Sequence, residues 1–374
     1  MPKKKSILFI VNSLGTGGAE KHVVTLLNKL DHSKFSLSLA YIKNQTDLLP
    51  QLIQSRLDEV VCCDASKGLD WRAVKKLVSL VRRVRPDTIM CTNQYSMLYG
   101  YLAKVLSGQR SRLVDVFHTD DHGGNDTLLR TNLYRYVFSR CDHVVFVCRK
   151  QQDYWVKDKK LPLKSFSYIH NGIDVEYFHD QYHQEEKESL RKSLGFSEKD
   201  YIIGICAALR PEKNHLGFMK SLEYQRDMGA AVKALFIGDG PMRTKIEQYI
   251  AEHGWVGDVA ISGFQQDVRP FMAICDAIAL PSTSETFSIA ALEAMAMGLP
   301  LLCADTGGAS EQVTSGVNGY LHQKGNDNEL SEHISILQDP ALRRKMGCKA
   351  REIVSEKFRV SQMVSAYESL LVSE

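Results

Sequence analysis

The sequence predicts an α/β protein of two doubly wound parallel-sheet domains. Three observations carry that prediction. The chain has 374 residues, long for one domain and natural for two. Short runs of apolar, β-branched residues alternate with longer helical patterns, the rhythm of parallel strands joined by helices. That rhythm lapses once, over the polar, aromatic and aperiodic residues 174–188, and restarts after residue 200.

In order, the strands of the first half are expected at 7–11, 36–42, 88–91, 112–117 and 143–147, with helical periodicity between them, as at 18–30 and 70–84. Those of the second half are expected at 202–207, 233–237, 259–261, 277–280 and 301–304. Residues 174–188 read as the linker. The domains are thus expected at 1–177 and 178–356, facing a cleft, with ligands outside the carboxyl ends of the strands. The last segment, 358–372, reads as an amphipathic helix with apolar Val360, Met363, Val364, Tyr367, Leu370 and Leu371.

Composition narrows the class. Apolar residues make up 44% and charged residues 24%, the balance of a soluble globular chain with enough apolar matter for two cores. No run approaches the ~20 apolar residues of a membrane span. Lys3, Lys4 and Lys5 precede an apolar run at 7–11, but the run is too short for a signal core and leads into a glycine loop. It reads as a buried first strand, and the protein is expected in the cytoplasm. Nine scattered cysteines without a CxxC pair fit a reduced compartment. The net charge of +3 conceals a division. Residues 1–177 hold 27 Lys+Arg against 17 Asp+Glu, net +10, and the remainder holds 20 against 27, net −7. A basic first half suits an anionic partner. Residues 71–83 concentrate that charge beside apolar residues at helical spacing. Such a helix either lies on an anionic membrane or packs on the sheet with a solvated basic face.

The chemistry gathers at strand ends. The first strand runs into Asn12-Ser13-Leu14-Gly15-Thr16-Gly17-Gly18-Ala19-Glu20 and a helix, where glycines admit a ligand and the helix N-terminus favours an anion. The spacing is not GxGxxG and no ribose-binding acid follows, which argues against a dinucleotide oxidoreductase. Similar strand-to-turn passages hold Gly238-Asp239-Gly240-Pro241 and Ser262-Gly263-Phe264. Arg210 and Lys213 follow another strand and suit a diphosphate. Residues 281–294 form the strongest cluster, with a helix expected to open near Thr286 and to offer hydroxyls and free amides. Glu285 and Glu293, eight residues apart, would lie two turns apart on one face and accept hydrogen bonds from vicinal hydroxyls. Alternatively they are a capping residue and a surface charge. His118 ends a strand in front of Asp120, Asp121 and His122. No metal site is expected there, because adjacent acids in one loop rarely converge on an ion. His118 is either a substrate contact or a core histidine.

Together these residues resemble the group 1 glycosyltransferases, glycosyltransferase family 4, of the GT-B fold. The resemblance rests on an ordered series over nearly the whole chain: Gly17-Gly18-x-Glu20, His118, Asn171-Gly172-Ile173-Asp174, Arg210 with Lys213, Gly238 to Pro241, and Glu285 with Glu293. It implies a retaining transferase using a nucleotide-diphosphate sugar, UDP first and GDP second. It implies that Arg210 and Lys213 hold the diphosphate, that Glu285 touches the sugar hydroxyls and Glu293 the ribose, and that Gly17 and Gly18 approach the phosphates. His118 would contact the sugar near its 6-hydroxyl. Gly238, Gly263, Phe264, Thr286, Phe287 and Ser288 complete the expected donor-binding set. Residues 357–374 would return to the first domain. No Asp-x-Asp occurs and no cofactor or metal is expected. The acceptor is expected to be a glycan or lipid-linked sugar of bacterial surface polysaccharide or lipopolysaccharide assembly. Peripheral contact with the inner face of the membrane would come through the basic half, and no nucleic acid is expected. The alternatives are a soluble sugar or sugar-phosphate acceptor and a nucleotide-sugar epimerase of the same fold.

Overall fold

The computed structural model describes residues 4–66, 68–119, 128–227, 229 and 231–373, without the side chains of residues 128–130. The chain divides into two compact units, Met1–Asn171 with Ser361–Glu374, and Gly172–Val360. Both are parallel sheets.

In the first unit β1 (Lys5–Val11), β2 (Phe35–Tyr41), β3 (Glu59–Cys62), β4 (Thr88–Thr92), β5 (Arg112–Phe117), β6 (His143–Phe146) and β7 (Phe166–Tyr168) stand in the order β3-β2-β1-β4-β5-β6-β7. Helices cover both faces, so central strands bury both sets of side chains and read as continuous apolar runs. Residues 7–11 of β1 are all at most 1% exposed. Leu8 and Ile10 turn toward Ala73, Val74, Leu77, Leu80 and Val81 of the helix Trp71–Val84. Asp70 caps that helix by accepting from the amide of Arg72 (2.9 Å), and it ends on Arg85 in the left-handed region, φ 48°. Its whole apolar stripe is therefore spent on the core, at roughly 1.5–3 kcal/mol for each large side chain. Of the two readings of residues 71–83, packing on the sheet is the one observed. Only Trp71, 57% exposed, and the basic face look outward.

In the second unit β8 (Tyr201–Cys206), β9 (Val232–Ile237), β10 (Val259–Gly263), β11 (Ala277–Leu280), β12 (Leu301–Ala304) and β13 (Gly319–His322) stand in the order β10-β9-β8-β11-β12-β13. The strands absent from the sequence reading, β3, β7 and β13, are all edge strands of three or four residues. An edge strand buries little, so it writes no apolar run.

One expectation changes. Residues 174–188 are not a linker: the guanidinium of Arg269 stacks 3.7 Å over Tyr177 and donates to its carbonyl (3.0 Å), and a helix begins at Gln184. The passage between units falls instead at Asn171 and Gly172, where the Ile173 amide donates to Phe358 (2.8 Å) and the Val360 amide to Ile173 (2.8 Å). The terminal helix Val360–Val372 belongs with the first unit and buries Met363, Val364, Tyr367 and Leu371. Cations meet the carbonyls at its end, where the helix dipole is negative. Arg112 donates to Leu370 (2.8 Å) and Ser373 (3.0 Å), and Lys5 to Val372 (2.8 Å).

Candidate active site

In a doubly wound sheet a crevice opens where the strand order reverses. In the second unit β8 lies between β9 and β11, so the loops after β8 and β11 flank that point. The loop after β8 is pinned to the loop after β9. Leu209 donates to Asp239 (3.0 Å) and Met242 to Leu209 (2.9 Å). A Cβ on Gly240 would stand 2.6 Å from the Leu209 carbonyl, and one on Gly238 would strike that of Ala207. Both glycines thus admit backbone from the same unit. The platform they make holds up Arg210 and the short turn Pro211–Lys213, closed by Asn214 in the left-handed region, φ 54°. Across the switch the Thr283 amide donates to the Glu212 carbonyl (2.8 Å), tying the two loops together.

This tie brings Lys213 and Glu285 into an ion pair, Nζ to carboxylate 2.5 Å, both side chains about a fifth exposed. Arg210 is exposed and its guanidinium pairs with nothing among the described residues. An exposed, fork-shaped cation thus stands near a paired one in the chain, an arrangement suited to a diphosphate.

The cluster after β11 departs from expectation. The helix there is Ile289–Ala296, three residues later than Thr286. Glu285 therefore lies in the loop, and the argument that two helical turns place it with Glu293 on one face does not hold. Ser288 spends its hydroxyl as the N-cap, accepting from Ala291 (3.3 Å), and its carbonyl accepts from the buried Gln312 (2.8 Å). Phe287 is 4% exposed and packs edge-to-face on Phe358, centroids 5.6 Å apart. Thr286 is buried, and its carbonyl accepts from Gly308 (2.6 Å). Gly307, φ 50°, is required here, since a Cβ would stand 2.6 Å from that same carbonyl. This turn, which sequence reasoning missed, holds the Glu285 backbone in place. Glu293 is 3% exposed. Gly263 ends β10 in the left-handed region, φ 73°, and Phe264 beside it is 59% exposed.

In the first unit the order reverses between β1 and β4. The loop after β1 ends on Gly17, the N-cap of the helix Gly18–Lys29, and the Glu20 carboxylate lies where a Gly17 side chain would be. His118 follows β5. Its ring meets that of His22 edge-to-face at 4.9 Å, and His22 meets Tyr367 at 5.3 Å. His22 was not singled out in the sequence and Tyr367 was read only as an apolar residue of the last helix; no motif marks them, and only the fold brings the two helices to His118. Burial holds the His118 imidazole down at about 4. Burial, and secondarily His118, hold His22 well below the ordinary histidine value. At neutral pH this pair offers N–H groups and lone pairs rather than charge. Asp120, Asp121 and His122 lie outside the described residues. Among the described residues no group of three or more His, Cys, Asp or Glu could hold a metal ion.

Comparison with known proteins gives the family and the fold. Residues 186–353 match the family Glycosyl transferases group 1, and residues 16–177 match Glycosyltransferase Family 4. The N-acetyl-alpha-D-glucosaminyl L-malate synthase of Bacillus anthracis is 31% identical over 72% of this chain and 70% of its own. The UDP-Gal:alpha-D-GlcNAc-diphosphoundecaprenol alpha-1,3-galactosyltransferase of Escherichia coli is 21% identical over 87% and 86%. Among solved structures, Anabaena HepE in complex with UDP-glucose superposes with a TM-score of 0.83 at 23% identity, covering 99% of this chain and 100% of its own.

Proposed function

The chain belongs to the group 1 glycosyltransferases, family 4, with the GT-B fold, and from that premise we propose a retaining enzyme that moves a hexose or N-acetylhexosamine from a UDP sugar, a GDP sugar being the second candidate, to a glycan or lipid-linked acceptor of surface polysaccharide or lipopolysaccharide assembly. The observation that carries the reading is the exposed Arg210, unpaired among the described residues, at the strand switch with the Lys213–Glu285 pair. An arriving diphosphate engages Arg210 bidentately and draws Lys213 to itself. Glu285, released from Lys213, is then available to a sugar hydroxyl. Lys213 thus exchanges a carboxylate for a phosphate, and Glu285 exchanges its cation for hydroxyl donors.

The acceptor hydroxyl attacks the anomeric carbon on the face that the diphosphate leaves. The bond from that carbon to the phosphate oxygen breaks, and the leaving oxygen takes the hydroxyl proton. The products are a glycoside of unchanged configuration and a nucleoside diphosphate. Arg210 and Lys213 stabilise the charge on the leaving group, with no metal ion required. Neutral His118 hydrogen-bonds the sugar near its 6-hydroxyl, and Glu293 the ribose. The UDP-glucose complex of HepE and the UDP-Gal in the name of the E. coli relative support a UDP sugar, and the diphosphoundecaprenol in that name supports a lipid-linked acceptor.

Thermal unfolding with UDP, GDP, ADP and NAD tests the donor. UDP is expected to raise the midpoint, by about 2.7 kcal/mol of stability at ~100 times its dissociation constant. The rise is expected to vanish in Glu293→Ala, measured from that variant's own baseline. Stabilisation by NAD alone would sink the reading. Once the donor is known, the anomeric proton coupling of the product is expected to match that of the donor, with EDTA leaving the rate unchanged. An inverted product overturns retention, and loss of rate in EDTA overturns independence from metal.

A further inference from the structure

The peptide that carries His118 is held on both sides by side chains that no motif marks. Gln151, 3% exposed, donates through Nε2 to the carbonyls of Phe117 (2.8 Å) and Thr119 (3.0 Å), the residues on either side of His118. Its Oε1 accepts from the Val147 amide (2.9 Å), so the amide group is itself fixed at the end of β6. Trp155, also 3% exposed, donates through Nε1 to the same Thr119 carbonyl (3.1 Å). It reaches that carbonyl from a turn of π-helix, Tyr154–Asp158, that continues the short helix Arg149–Asp153. On the opposite flank the His118 amide donates to Asn93 Oδ1 (2.7 Å), and Asn93 holds a left-handed conformation, φ 67°, where its helix starts. A π-turn is a costly irregularity that recurs at functional sites. Here it brings Trp155 onto the strand end.

We propose that Gln151, with Trp155 and Asn93, is the positioning device of His118. Three polar side chains from two segments fix the backbone from 117 to 119, leaving the imidazole to be oriented by its contact with His22. A buried amide bridging two carbonyls is an expensive way to fill space, because each of its polar atoms must be satisfied. Its use here makes sense where a ring must be held to a fraction of an ångström. The catalytic part of this inference rests on His118 touching the donor sugar, as read above; the clamp itself does not.

Two measurements separate the parts. Hydrogen exchange on the free protein reads the clamp. Gln151→Met, of similar volume, and the milder Trp155→Phe are each expected to speed exchange at the His118 amide about tenfold or more, the effect of roughly one lost hydrogen bond. The amides of β5 should keep their protection. Unchanged exchange at His118 in both variants overturns the clamp. Turnover of UDP-glucose with water as acceptor reads the function through a double-mutant cycle. Gln151→Met is expected to lower kcat about tenfold with a smaller change in KM, and to cost less than about twofold in a His118→Ala background. An equal loss in both backgrounds means a general structural role and overturns the positioning claim. A His118→Ala enzyme as fast as the parent overturns the sugar contact proposed for His118, while the exchange result still stands or falls alone.

Discussion

Asp115 shows how one residue can work against its surroundings. It sits in the middle of β5, paired in register with Cys91, fully buried, with both carboxylate oxygens lacking a hydrogen-bond partner among the described residues. Burial raises its pKa well above the ordinary value. An unfolded aspartate loses its proton near pH ~4, so above that pH the native state holds a proton that the unfolded state has released, and stability falls as pH rises. Asp115→Asn keeps the shape and removes the titration. We predict a higher unfolding midpoint for the variant, with a lead that widens between pH 5 and pH 8 by up to ~1.4 kcal/mol per unit. A constant lead would show that Asp115 is already satisfied by a partner. His118 acts in the other direction. Its depressed pKa means that the unfolded chain takes up protons first, so stability is lost as pH falls from ~6.5 towards about 4. In the sequence, Asp115 is one polar letter in an apolar run, and nothing there says that no partner will meet it. Arg210 and Lys213 were legible as cations at a strand end, but the pairing of Lys213 with Glu285, 72 residues away, was not.

At the scale of elements, legibility follows burial. Central strands such as β1, β4 and β11 were readable because both their faces are covered and apolar residues fill both. The edge strands β3, β7 and β13 were not, for the opposite reason. The helix Trp71–Val84 was placed to within a residue by its period, yet its apolar stripe could not say whether it faced lipid or sheet. The start of the helix Ile289–Ala296 was misplaced because Thr286 and Ser288 are both residues that cap helices. What chose Ser288 was the buried Gln312, bonded to its amide (3.2 Å) and its carbonyl (2.8 Å), together with the Gly307 turn under residues 285 and 286. The glycines at 238 and 240 were legible as a loop. Their reason was not, since it lies in the approach of Ala207 and Leu209.

At the scale of the molecule the charge division remains the clearest signal of a partner. Residues 1–177 carry a net +10, and among the described residues no helix is long and apolar enough to cross a membrane. With the stripe of Trp71–Val84 consumed by the core, a membrane contact through this helix would have to rest on charge rather than on insertion. Arg72, Lys75, Lys76, Arg82 and Arg83 are exposed along that helix. We predict binding to anionic vesicles at low salt in co-sedimentation, reversed as the Debye length shrinks from about 30 Å at 0.01 M to 8 Å at 0.15 M. Equal binding to neutral vesicles, or none to anionic ones at low salt, would count against this proposal.

By itself the sequence determined two parallel sheets, the strands at their centres, and the family to which an ordered series of glycines, cations and glutamates points. These are properties of local pattern: alternation of period, strand-end glycines and spacing along the chain all survive in one dimension. Tertiary structure alone decided that residues 174–188 fold onto the second unit and that Lys213 holds Glu285. It alone set His22, Gln151 and Trp155 around His118. Each of those is a contact between residues far apart in the chain. Such a contact is settled by which faces remain to be buried and which polar atoms remain to be satisfied, and neither can be counted until the chain has closed on itself.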